Sequence, residues 1–187
     1  VCSKGIEKKS GLLMSEILSE TTSTNPIAVL SGPTFAAEVA NNTPTAITIA
    51  AQSEVISEKL TNAIGQKTFR PYWSDDIVGA QIGGAVKNVL AIGCGIVLGK
   101  KLGENAHAAL ITRGMAELIE FGIARGGKAS TMMGLSGMGD LILTCSSTQS
   151  RNMSLGFSLG QGKTMEEIMA TRNSVAEGVH SAEIVYK

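Results

Sequence analysis

The chain has 187 residues, 43% of them hydrophobic, enough for a sizeable core in one or two domains. Its 16 Lys and Arg balance 16 Asp and Glu with no basic patch, so nucleic-acid binding and attraction to a charged membrane surface are not expected. Three widely spaced cysteines and the isolated His107 and His180 offer neither a disulfide framework nor metal-ligand spacing, and a reducing compartment fits best.

In chain order, the first part alternates strand and helix. Val1-Cys-Ser-Lys4-Gly5 has no initiator methionine and no capping signal, Lys4-Gly5 follows a presumed strand end, and the chain is expected to be an internal piece of a longer protein. Residues 27–30 form a short apolar run after Pro26, a buried strand. Ser31-Gly32-Pro33 is a turn, with Thr34 as the expected cap of a short helix over 35–40. Residues 45–50 alternate Thr, Ile and Ala as a second strand. Ser53 opens a helix whose apolar stripe is Val55, Ile56, Leu60 and Ile64, ended by Gly65. Residues 69–73 read as a third strand, held to an edge or bent by Pro71.

Strand signals then fade. Asp75 is the expected cap of a long apolar helix, and residues 105–125 form a second long helix before Gly126-Gly127. Residues 131–139 are a glycine-punctuated connection, and a helix begins over 140–145. Thr164-Met-Glu-Glu167 is a capping box opening a helix through Met169, and residues 180–187 read as a helix cut short. The expectation is an α/β part over 1–74 and an all-helical part over 75–187. No G-x-G-x-x-G opens a strand–helix unit, so a dinucleotide fingerprint is expected only upstream of Val1.

The most informative residue is Lys87, the sole charge between Val78 and Leu98. On a helical wheel Ala80, Gly83, Gly84, Ala91, Cys94 and Gly95 share its face, while Ile82, Val89, Ile92 and Ile96 lie opposite. Small neighbours admit another backbone, a cofactor or a substrate. Asn88 adds a donor and an acceptor at the edge of the stripe. The stretch is long enough to span a bilayer, but Gln81, Lys87 and Asn88 sit near its centre. A central lysine costs about 3 kcal/mol on insertion scales. A lysine that snorkels to water should lie on a polar border, which Lys87 lacks. A lysine kept for its charge or its proton is the better reading.

Three other segments carry polar chemistry. Gly134-Leu-Ser-Gly137-Met-Gly139-Asp140 permits tight turns, and Thr144, four residues beyond Asp140, shares its helix face. An ordinary aspartate cap is the plain alternative. Ser146-Ser-Thr-Gln-Ser150-Arg151-Asn152 gathers hydroxyls, a guanidinium and an amide, suited to a phosphate monoester or to a solvated loop. Lys4-Gly5 and the 31–34 turn are weak signals alone, and Glu177-Gly178 reads equally as a plain surface pair.

Together, Lys4-Gly5, Ser31-Gly-Pro-Thr-Phe-Ala36, Gly83-Gly-Ala-Val-Lys-Asn-Val89, Gly137-Met-Gly-Asp-Leu141, Gln149-Ser-Arg-Asn152 and Val175-Ala-Glu-Gly178 resemble, in order and spacing, the bacterial NAD(P)-dependent glycerol-3-phosphate dehydrogenases. Residues 105–117 resemble them too. The resemblance implies the end of a Rossmann domain followed by an α-helical substrate domain. It implies reversible reduction of dihydroxyacetone phosphate to sn-glycerol 3-phosphate by NADH or NADPH, without a metal, in the cytoplasm, for phospholipid synthesis. It leaves a homodimer open.

Carried onto this sequence, Lys87 would exchange the proton. Lys4, Asp140 and Thr144 would surround the reacting centre. Gly32, Thr34, Ser150, Arg151 and Asn152 would touch substrate. Lys4, Ala36, Arg151, Val175 and Glu177 would touch cofactor. The first part of the Rossmann domain and the C-terminal tail have no counterpart here, so poor dinucleotide binding and no useful activity are expected of the chain alone. Two alternatives are a related dehydrogenase with another substrate and a non-catalytic protein of the same fold.

Overall fold

The computed structural model describes residues 1–22, 25–171 and 176–186. Among the described residues one sheet has strands β1 (Ala28–Ser31), β2 (Thr45–Ala51) and β3 (Phe69–Ser74) in that order. β2 lies antiparallel to β1, with Leu30 opposite Ile49, and parallel to β3, with Ile49 opposite Trp73. Its β-branched run suits the central place, and Ile47 to Ala51 are buried. Pro71 is tolerated because β3 has a partner on one side only. The first residue continues the layer: Val1 N donates to Ala28 O at 2.6 Å, and Leu30 N donates to Val1 O at 2.8 Å.

Helix α1 (Met14–Thr21) precedes the sheet, and α2 (Ala36–Ala40) follows β1. Thr34 does not cap α2 as expected. Phe35 stands at the cap without a side-chain bond, and Thr34 Oγ1 turns back to Gly32 O at 3.3 Å. Helix α3 (Glu54–Ile64) crosses from β2 to β3. Ser53 holds its cap position but makes no side-chain bond. The apolar stripe of α3 is only partly covered: Val55 is 59% exposed, and Ile56, Leu60 and Ile64 line an open groove with Val29 and Ile49.

Past the sheet the fold is helical, so the architecture is α/β followed by all-α. Helix α4 (Ile77–Gly99) is its axis. The cap is Asp76 rather than Asp75. Asp76 is buried and accepts from Gly79 N at 2.8 Å and from Lys128 N at 2.7 Å, whereas Asp75 faces water and pairs with Lys128 Nζ. Helices α5 (Glu104–Ala124), α7 (Asp140–Cys145), α8 (Arg151–Gly160) and α10 (Glu177–Val185) pack around α4. Its length and apolarity would suit a bilayer, yet here they serve a core: Ala80, Ile82, Ala85, Ala91 and Cys94 are fully buried. Gln81 is satisfied by α1, donating to Ser15 Oγ at 2.7 Å and accepting from Ser15 N at 2.9 Å.

The stretch 131–139 is more ordered than a connection. Helix α6 (Ala129–Met132) enters it, and Leu135–Gly139 form one π-helical turn, with Gly139 N donating to Gly134 O at 3.1 Å. The capping box at Thr164 opens α9 (Met165–Ala170) with both reciprocal bonds made. Backbone fills the second half of the small-residue stripe. A Cβ on Gly95 would overlap the Met153 carbonyl oxygen, and one on Gly156 of α8 would overlap that of Ile92.

Candidate active site

A cleft of about 550 Å³ opens between the turn after β1 and the helices around α4. Thr34 and Ala36 come to it from the start of α2, Lys4 from the first segment, and Lys87 from the middle of α4. Thr144 lies on α7, Ser150, Arg151 and Asn152 stand at the start of α8, and Glu177 opens α10. Segments more than a hundred residues apart in sequence thus share one opening.

At its base are two ammoniums and one carboxylate. Asp140 is 1% exposed and accepts from Lys87 Nζ at 2.5 Å through Oδ1 and from Lys4 Nζ at 2.6 Å through Oδ2. Thr144 Oγ1 donates to the Asp140 carbonyl at 2.6 Å, one turn back, and accepts from Lys87 Nζ at 2.9 Å. An ammonium has three donors. Asp140 and Thr144 take two, and the amine borders the cleft, where a ligand oxygen can take the third. The stem of Lys4 reaches this place by crossing Gly84, where a Cβ would stand 3.2 Å from it.

Burial dominates the charge of Lys87. Loss of hydration is the largest influence on its pKa, Asp140 opposes it, and Lys4 adds repulsion; the result falls from 10.5 to about 8. Burial therefore outweighs the neighbouring carboxylate. Two cations against one anion leave the base with an excess positive charge, suited to an oxygen that gains negative charge.

The rim has a different chemistry. Ser150 Oγ accepts from Met153 N at 3.3 Å as the cap of α8, and Asn152 Oδ1 accepts from Gly178 N at 2.9 Å. Both side chains therefore also order the wall. Arg151 is exposed and its guanidinium donates to Glu177 Oε1 at 3.4 Å; the other oxygen of Glu177 accepts from Asn88 Nδ2 at 3.1 Å. A carboxylate here thus already meets the guanidinium that a phosphate would seek. Glu177-Gly178 is no plain surface pair.

Gly32 is buried beside Ile47 and does not line the cleft. Asp140 lies beneath the surface and reaches the cleft through its lysines. Val175 lies outside the described residues. Asn88 was missing from the expected site residues although it borders both Lys87 and Glu177; its place beside Lys87 was the available signal. Cys2, Ser3, Phe35, Ala37 and Gln149 also line the opening, and only backbone geometry brings them there. Among the described residues, no three His, Cys, Asp or Glu side chains gather as a metal site.

Two family models match the chain: the NAD-dependent glycerol-3-phosphate dehydrogenase N-terminus over residues 1–57 and the C-terminus over 76–187. Glycerol-3-phosphate dehydrogenase [NAD(P)+] of Parvibaculum lavamentivorans is 61% identical over 99% of this chain and 56% of its own length. That of Caulobacter vibrioides is 56% identical, with coverages of 99% and 56%. The crystal structure of glycerol-3-phosphate dehydrogenase from Coxiella burnetii superposes with a TM-score of 0.95 at 41% identity, over 99% of this chain and 57% of that one. The chain spans about half the length of the curated relatives it matches.

Proposed function

The chain belongs to the NAD-dependent glycerol-3-phosphate dehydrogenase family, and on that premise we propose that it carries the substrate cleft of an oxidoreductase. The protein would interconvert dihydroxyacetone phosphate and sn-glycerol 3-phosphate with NADH or NADPH, supplying phospholipid synthesis. The observation that carries this reading is the buried Lys87–Asp140–Lys4 cluster beneath a cleft whose rim holds Arg151.

In reduction, the ketone oxygen gains negative charge as hydride arrives at its carbon. The excess positive charge of Lys87 and Lys4 favours that oxygen, and Lys87 passes it a proton. A pKa of about 8 suits the task, because the amine is mostly protonated at neutral pH yet gives up its proton readily. In oxidation the neutral amine takes the proton from the alcohol. Asp140 holds both lysines, and Thr144 fixes the direction of Lys87. Arg151 would hold the phosphate by two oxygens, aided by the polar start of α8.

The nicotinamide cofactor, when bound, supplies or accepts the hydride. The described residues fit only one end of such a group: Phe35, Ala36 and Ala37 line the cleft together with Arg151 and Glu177. The end of β3 at Ser74 supports a division between a sheet-bearing part over 1–74 and a helical part over 75–187, although the N-terminal family match stops at residue 57. Three free cysteines, two of them buried, suit a cytoplasmic setting.

The test uses the full-length protein that contains this chain. It should oxidise NADH or NADPH in proportion to added dihydroxyacetone phosphate, and Lys87→Met should lower kcat by about two orders of magnitude. Turnover near that of the parent would overturn the role of Lys87. Absence of any turnover dependent on the phosphorylated ketone would overturn the activity.

A further inference from the structure

Two pairs of residues run side by side where α4 meets the π-helical turn and the start of α7. Gly83 and Lys87 stand four residues apart on α4, and Ser136 and Asp140 stand four apart where the π-helical turn enters α7. At the upper pair, Lys87 Nζ meets Asp140 Oδ1 at 2.5 Å. At the lower pair, backbone meets backbone. A Cβ on Gly83 would overlap the Ser136 carbonyl oxygen and stand 3.0 Å from Gly137 Cα. Gly137 is itself lodged against the Met132 carbonyl, where any side chain would collide. The Ser136 hydroxyl is buried without a hydrogen-bond partner, so it does not hold the turn in place. The fit of two glycines does.

We propose that Gly83 and Gly137 are positioning residues whose close backbone contact sets the separation of α4 from the π-helical turn, and through it the Lys87–Asp140 hydrogen bond. Their functional consequence rests on the reading of Lys87 as the proton donor, but the geometric claim does not. A methyl group at Gly83 must push the turn outward, because the atom it meets is backbone and cannot rotate away. Asp140 rides on that turn and recedes with it, while Lys87 stays buried in α4. The amine then keeps its lost hydration and loses part of its counter-charge.

The experiment follows the titration of Lys87 by NMR of the 13Cε-labelled lysine in the full-length protein that contains this chain, with no turnover needed. Gly83→Ala should move the midpoint down by about tenfold in proton affinity. Gly95→Ala, which crowds α8 from the same helix, should cost stability but leave the midpoint in place. In an Asp140→Asn background, Gly83→Ala should produce no further movement. An unmoved midpoint, or equal movement in both backgrounds, would overturn the proposal.

If Gly83→Ala does not fold, the coupling can be read in reverse, since it is reciprocal. Asp140→Asn should raise the solvent exchange rate of the Gly139 amide several-fold through the loosened turn, and unchanged protection there would overturn it. Because neither readout uses substrate, failure of the proposed activity would leave both results interpretable.

Discussion

Replacing Lys87 by methionine should flatten a pH dependence of stability whose size follows from the burial of the amine. The folded protein holds this proton with a pKa of about 8, against 10.5 for an exposed lysine, with lost hydration as the largest cause. Each tenfold loss of proton affinity corresponds to about 1.4 kcal/mol. Below pH 8 both folded and unfolded chains carry the proton, and the whole penalty, about 3 kcal/mol, weighs on the folded state. Between pH 8 and 10.5 only the unfolded chain keeps it, so the penalty disappears and the contribution to stability rises with pH. Lys87→Met has no proton to lose, and the other titrating groups are shared by both proteins. Urea unfolding of the two from pH 7 to 10.5 should give a difference, parent minus variant, that climbs by about 3 kcal/mol. A flat or falling difference would refute the claim that burial outweighs Asp140.

Three further outcomes follow from the same geometry. In the full-length protein, Arg151→Ala should raise KM for dihydroxyacetone phosphate by about tenfold or more, the worth of a charge-assisted contact, and leave dihydroxyacetone nearly unaffected. Equal losses on both would remove the phosphate from Arg151. The kcat for ketone reduction should fall as pH rises through about 8 while that for alcohol oxidation rises, and parallel profiles would count against one shared amine. Asp76→Ala should cost about 2–3 kcal/mol in urea unfolding, because a helix cap and the partner of the Lys128 amide go together. A loss below about 1 kcal/mol would mean that water replaces the carboxylate.

Sequence made the centre of the site legible and left its walls obscure. Lys87 stood out because a lone charge in an apolar helix is costly, and the Asp140 to Thr144 spacing is a plain helical repeat. Asp76 was passed over for Asp75 because two adjacent aspartates cap equally well by type, and only the direction of the Gly79 and Lys128 amides decides between them. Helix α8 was hidden by Gly156 and Gly160, which weaken helix propensity. They are there because a Cβ at either would collide with a carbonyl of α4. Helix α1 begins after Leu13, whose own side chain cannot cap, and only Glu16, accepting from Leu13 N at 2.6 Å, marks its start. The apolar stripe of α3 had a clear period, yet a period names a face without saying what covers it. The Asn88–Glu177 contact joins residues 89 positions apart, and no local pattern encodes it.

The single charge of α4 has a meaning before the cleft exists. While the chain is being made, residues 77–99 are a 23-residue stretch that by length and composition alone would pass for a membrane span, with Lys87 near their middle. The amine that titrates in the finished site is the one ionic mark that sets this segment apart from a membrane-bound one. A variant lacking it should therefore be checked for where it accumulates in the cell before its lost turnover is assigned to chemistry.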